Sequence, residues 1–363
     1  MNESRLSGQV RVVGAGLLGA SVGLALTAKG LDVVVDDSSP AALGLAIDYG
    51  AGRAPAEADD PHLVVVAVPP DVTAEVVRAE LAAHPHALVT DVASVKTAPL
   101  TALRAAGADV SRYIGSHPLA GRERGGAISA RADLFLGRPW VIATTDANTA
   151  AQLGVIEDLA LDLGAVPVGM AAEDHDRSVA LISHVPQVIA SLLAKRLVEG
   201  DHAALGLAGQ GLRDTTRIAS SDPSLWIQIL SANSVAVVDV LRAFRGDLDA
   251  LLTALEDPAV PGARRALAES LAAGNVGVSR IPGKHGQDRR FSQIVVMVDD
   301  RPGELGRLLS EMGEVGVNME DLRLEHSPGA PIGLAEISVL PEAEDHLVTE
   351  LEARGWRIAE AWR

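Results

Sequence analysis

"VVGAGLLGASVGLAL", residues 12–26, decides how the first half of the chain is read. Gly14, Gly16 and Gly19 fall in the order G-x-G-x-x-G, after a β-branched run and at the opening of a helical pattern. Gly14 suits a tight turn, Gly16 lets backbone amides approach a pyrophosphate, and Gly19 lets helix and strand pack closely. With the turn residues Leu17 and Leu18, they form a candidate cofactor site in which the helix's amino end holds phosphate. The next strand ends in Asp36, twenty residues beyond Gly16. A carboxylate there accepts hydrogen bonds from ribose hydroxyls and repels a ribose phosphate, so NAD is favoured over NADP, and neighbouring Asp37 strengthens that bias. A glycine pattern alone also fits a plain strand-helix turn; its place between two strands carries the reading.

Working outward, residues 9–168 alternate short strands ("QVRVV", "DVVVD", "LVVVAV", "ALVTDV", "RYIGS", "PWVIAT", "AVPVG") with helical patterns. Val72, Val76, Val77 and Leu81 recur at the spacing of a helix crossing over a parallel sheet. Residues 1–170 are therefore expected to form an α/β, Rossmann-type dinucleotide-binding domain. From 171 to 275 the chain is rich in Ala, Leu and Val and predicts an all-α domain. There Pro186, tolerated in a helix's first turn, places Ser183 and His184 at a helix amino end. The glycine-rich, basic stretch beginning at Gly274 reads as a linker, 276–290. Residues 291–363 spell strand, helix, strand, strand, helix, strand, a ferredoxin-like βαββαβ unit.

The 363 residues contain no cysteine, which excludes disulfides, thiolate metal sites and a cysteine nucleophile. A formal charge of −17 argues against nucleic acid as a partner and means that an anionic substrate needs a local cluster of cations. The start lacks a signal-peptide pattern and the longest apolar runs read as buried strands, so a cytoplasmic protein without a membrane span is expected.

Several residues are candidates for the chemistry. His117 lies in "GSHPLAG" (115–121) and Ser94 in "DVASVK" (91–96), both where strand ends converge, and open α/β sheets bind ligands there. Lys96 is a candidate structural or anion-binding cation, or simply a solvated side chain. In "GLRDTTRIASSDPSLW", Arg213 and Arg217 share one face if the stretch is helical, and form either a solvated surface or an anion clamp. Asp222 or Ser221, before Pro223, reads as the cap of a new helix.

Taken in order, GAGLLG, DVASVK, GSHPLAG, SHVPQ and GLRDTTRIASSDPSLW resemble the prephenate dehydrogenase family over nearly the whole chain. Gln210 departs from the all-glycine stretch expected in some members. The resemblance implies NAD-dependent oxidative decarboxylation of prephenate in tyrosine biosynthesis, or of arogenate, with Ser94 and His117 at the substrate hydroxyl, His184 near its side chain, Arg217 on a carboxylate, no metal, and a homodimer formed by the helical domain. The terminal unit resembles an ACT domain. Its Pro302 and Gly303, at a strand-helix turn with free amides, and Asn318 before the next strand are expected to take an amino-acid effector such as tyrosine. Leu305, Leu308, Leu309 and Met312 form its core stripe. A β-hydroxyacid dehydrogenase would rely on a helical-domain lysine, for which only Lys195 is available, and a non-catalytic NAD and amino-acid sensor would have no use for Ser94, His117 and Arg217 together.

Overall fold

The computed structural model describes residues 4–121, 125–281, 291–326 and 332–359. Seven strands, β1 (Val10–Val13), β2 (Val33–Asp36), β3 (Leu63–Val66), β4 (Leu88–Asp91), β5 (Tyr113–Pro118), β6 (Pro139–Ala143) and β7 (Val166–Met170), form one sheet in the order β2-β1-β3-β4-β5-β6-β7. Helices α1 (Leu17–Ala28), α2 (Pro40–Asp48), α3 (Pro70–Ala83), α4 (Thr97–Ala105) and α5 (Ala150–Asp162) connect them. The first five strands are parallel, whereas β6 pairs antiparallel with β5 and parallel with β7. The crossover helix α3 forms as its spacing predicts, burying Val77 and Leu81, but Val72 is largely exposed and is not part of its stripe. Val64, Val65, Val89 and Ile114 are wholly buried, as strands covered on both faces require.

Contacts divide the chain into two compact units that differ from the sequence-based boundaries. The first is Met1–Val198 with Thr216–Phe244; the second is Glu199–Thr215 with Arg245–Arg363. The helical region is thus shared between them. In the first unit, α6 (Ala172–Val179) runs through a π-helical turn (Ala180–His184) into α7 (Val185–Leu197). Pro186 does stand in the first turn of α7 with His184 before it, as expected, but that end is not open: Ser183 and His184 lie in the π turn inside a continuous 26-residue helix. Proline lacks an N–H and clashes with the carbonyl four residues back, so a wider π turn is where it fits a continuous helix. This fusion also corrects the expectation that no segment reaches membrane-spanning length. Ala172–Leu197 is long and apolar enough, with mean hydropathy 1.3 and a third of it buried. Its buried face, however, carries His175, Asp176, His184 and Gln187.

Next come α8 (His202–Gly206) and α9 (Gln210–Thr216), then α10 (Pro223–Ala232), capped by Asp222, whose Oδ1 accepts from the Ser224 amide at 2.9 Å. A 93° bend at Asn233 leads into α11 (Ser234–Glu256), and α12 (Ala263–Ser279) follows. Because α12 runs through Gly274 and Gly277, the expected linker starts too early; glycine lowers helix propensity by only about 1 kcal/mol, which neighbouring residues override. Linker residues 282–290 lie outside the described residues. The chain ends in β8 (Ser292–Asp299), α13 (Glu304–Val315), β9 (Asp321–His326), β10 (Ile332–Val339), α14 (Pro341–Ala353) and β11 (Arg357–Ala359), with an antiparallel sheet ordered β11-β8-β10-β9. Leu308 and Met312 are buried there with Ile337, Leu347 and Trp356, while Leu309 faces outward rather than joining the stripe.

Candidate active site

The glycine turn fits a dinucleotide. Gly14 has φ +104°, and a Cβ there would lie 2.4 Å from the Ala67 carbonyl oxygen. A Cβ on Gly19 would lie 1.9 Å from the Gly14 carbonyl oxygen, so helix and turn approach too closely for any side chain. Gly16 faces open space, and no side chain caps the amino end of α1, which leaves that end to a phosphate. Leu17 and Leu18 open the helix.

Asp36 does not face this turn. Arg11 pairs in register with Val34, and Asp36, two residues on, shares its face of the sheet. The Arg11 guanidinium accordingly grips Asp36 at 2.6 Å and Glu80 of α3 at 2.9 Å. The carboxylate beside the glycines is that of Asp37, whose Oδ2 accepts from the Ala15 amide at 2.7 Å and Oδ1 from the Ser39 amide at 2.7 Å. The carboxylate beside the turn is thus that of Asp37, one residue beyond Asp36.

At the other strand ends, His117 near the end of β5 is almost wholly buried, and its Nδ1 lies 2.9 Å from Nε2 of His175. His175 Nδ1 lies 2.8 Å from Asp176 Oδ1. Asp176 also accepts from the amides of Lys96 (2.8 Å) and Thr97 (2.9 Å) at the amino end of α4. A carboxylate accepts only, so His175 donates from Nδ1 and accepts at Nε2; His117 then donates from Nδ1 and keeps a lone pair on Nε2. Burial, reinforced by the positive forms of His175, Lys96 and His184, holds the His117 imidazole well below its usual range, so it stays a neutral base. Sequence reasoning missed His175 and Asp176. Their only signal was "EDHD" at the start of the helical half.

The π turn explains why His184 joins them. His175 and His184 are nine positions apart, about 900° at 100° per residue, which would put them on opposite sides of an α-helix. A π turn rotates less per residue and brings His184 towards the same side. His184 is buried, its Nδ1 lies 3.1 Å from Asn233 Nδ2, and it meets Trp226 edge-on with centroids 6.0 Å apart. Asn233 Nδ2 also donates to the Asp176 carbonyl at 2.8 Å. Burial lowers the His184 pKa to about 4, against the pull of Asp176.

Lys96 is neither solvated nor open to an anion: it is 1% exposed. Its ammonium donates to Asp91 Oδ1 and, at 2.5 Å, to the Ser116 carbonyl. Asp91 Oδ2 accepts from the Tyr113 hydroxyl at 2.6 Å. Ser94 lies, partly exposed, in the turn between Asp91 and Lys96.

The arginines are arranged differently from expectation. Because α9 stops at Thr216, Arg217 opens a 3-10 turn, Arg217–Ala219, and the two do not share an α-helical face. Both are exposed, with Arg213 in the second compact unit and Arg217 in the first. In the terminal unit Gly303 has φ +95° and opens α13, but the Glu304 amide already donates to the Arg301 carbonyl at 3.3 Å, so that turn's amides are not all free. Asn318 Nδ2 lies 3.4 Å from Glu320 Oε1.

An uncapped dinucleotide turn leading to a buried neutral imidazole at the strand ends defines an NAD-dependent oxidoreductase. Residues 22–168 match the family model "Prephenate dehydrogenase, nucleotide-binding domain" and residues 171–271 match "Prephenate dehydrogenase, dimerization domain". A Streptomyces niveus protein described as "Probable prephenate dehydrogenase NovF" is 36% identical over 95% of this chain and 98% of its own length. The chain belongs to the prephenate dehydrogenase family. Among solved structures, prephenate dehydrogenase from A. aeolicus in complex with hydroxyphenyl propionate and NAD+ is 25% identical, with TM-score 0.66 over 76% of this chain and all of that one. Synechocystis arogenate dehydrogenase is 27% identical, with TM-score 0.61 over 74% of this chain and all of its own.

Proposed function

We propose that the protein oxidatively decarboxylates prephenate to 4-hydroxyphenylpyruvate, with NAD accepting the hydride when bound, and that His117 is its catalytic base. The observation that carries this is the Asp176–His175–His117 chain, which fixes the His117 tautomer and leaves Nε2 to take a hydrogen bond from the ring hydroxyl. As hydride leaves the hydroxyl-bearing carbon, the ring carboxylate departs as carbon dioxide and its bonding pair enters the ring. The proton drawn towards His117 returns to the phenolic oxygen, so no net proton is released. Aromatisation drives the reaction, and the protein orients, binds anions and polarises. Ser94 adds a hydroxyl to the hydroxyl site, His184 faces the substrate side chain, and Arg217, with Arg213 as the alternative, takes a carboxylate. Asp37 takes the ribose hydroxyls.

The likeness to an arogenate dehydrogenase supports a second reading, in which the substrate bears an amine in place of the keto group. NADH formation followed with prephenate and arogenate in parallel decides between them, and no turnover with either would overturn both. The exposed Ile182, Leu192 and Val235 of the helical region suit a second copy of the chain, in keeping with the matched dimerization domain. The βαββαβ unit has the topology of an ACT domain and suits an amino-acid effector such as tyrosine at Pro302, Gly303 and Asn318. Calorimetry of tyrosine with the full chain and with a truncation ending after α12 tests that site; equal binding to both would remove it.

A further inference from the structure

One residue fastens both ends of the imidazole chain. The backbone amide of Lys96 donates to Asp176, which terminates the chain, and its buried ammonium donates to the carbonyl of Ser116, which precedes His117. Asp91 balances the ammonium's charge and is itself held by the Tyr113 hydroxyl and the Ala93 amide, at 2.6 and 2.8 Å. The adjoining backbone is packed against its stem: a Cβ on Gly115 would lie 3.2 Å from Lys96 Cδ and 3.2 Å from the Tyr113 hydroxyl. Opposite-charge pairing with Asp91 would be complete without the Ser116 carbonyl, yet the ammonium reaches across to β5.

We propose that Lys96 is a positioning residue for the oxidation: as a buried ammonium it clamps the peptide entering His117 and aims the imidazole. The proposal rests on His117 being the base. The titratable and charged groups around that imidazole are His175 and, through it, Asp176 on α6, His184 in the π turn, and Lys96 between β4 and α4 with its partners Asp91 and Tyr113. Of these, Lys96 is the one that reaches the backbone of β5 itself, its ammonium held by Asp91 against the burial that lowers its pKa.

The test compares Lys96→Met with the double variant Asp91→Asn/Lys96→Met in NADH formation from prephenate. The double variant leaves no unpaired buried charge and so keeps the question open to measurement where the single variant does not fold. If the lysine only neutralises Asp91, the double variant recovers wild-type turnover. If it positions His117, the double variant keeps its melting temperature, NADH affinity and KM for prephenate but loses about a hundredfold in kcat. Wild-type kcat in the double variant, or a kcat loss matched by an equal change in KM, would overturn the proposal. Absence of turnover in the wild-type chain would instead overturn the activity on which it rests.

Discussion

The strand ends around His117 and the stretch carrying Arg213 and Arg217 are built in opposite ways. Around His117, Lys96, Asp91, Tyr113, His175 and Asp176 are buried and hydrogen-bonded to one another, on elements of the sheet and the long helix. The arginines sit on a seven-residue helix and a three-residue turn, with exposed side chains. Moving a proton demands a fixed direction and a fixed tautomer, which only packing supplies. Holding a carboxylate, the role proposed for Arg217, demands charge and reach, which an exposed guanidinium can supply.

The sharpest way to break this contrast is His117→Asn, which retains hydrogen bonding but cannot accept the proton. Turnover is expected to fall about 10²–10⁴-fold with NAD binding intact, and near-normal turnover would remove His117 from the role. In the wild type, protonation abolishes the base, so kcat should stay level through the ordinary imidazole range and fall only as pH drops through the lowered pKa of His117. A break near pH 6.5, the ordinary imidazole value, would contradict the burial argument. His175→Ala should cost about a hundredfold in kcat with little change in KM, since the imidazole loses the acceptor that fixes its tautomer. Equal losses in KM would show a binding defect instead.

On the other side of the comparison, Arg217→Ala should raise KM about thirtyfold, roughly 2 kcal/mol, while kcat changes little. If Arg213→Ala shows that effect and Arg217→Ala does not, the arginines exchange roles. The smallest effect concerns the cofactor. Asp37→Ser should relax the preference for NAD about tenfold by removing a charge that repels ribose phosphate, whereas Asp36→Ser should leave it unchanged and lower thermal stability through Arg11. The reverse outcome, read from side-by-side NAD and NADP rates, would restore Asp36.

The glycine turn, the seven strands and the βαββαβ order were legible because each rests on local periodicity and turn chemistry. His117 was legible as a candidate because it lies at the carboxyl end of a strand, inside β5 rather than after it, where open α/β sheets bind ligands. What stayed hidden depended on register or distant pairing. Asp36 and Asp37 are separated by strand parity against Arg11, which needs the neighbouring strand. Lys96 could be structural, anion-binding or solvated, because nothing local announces the tight space beside Gly115 in which its stem lies. His175 meets His117 across 58 positions, and His184 turns inward only because the helix widens where five residues make a π turn.

That widened turn also sets a phase. Leu192 and Leu193, on the exposed side of α7, and His184, on the buried side, all follow from the same extra increment of chain. Removing one residue there would restore ordinary helical winding and turn everything downstream by about 100°, carrying the imidazole away from Asn233 and the leucines round to a new heading together. The inner and outer faces of α7 are therefore geared to each other, and a substitution or partner that rewinds the helix from outside would be felt at the imidazole.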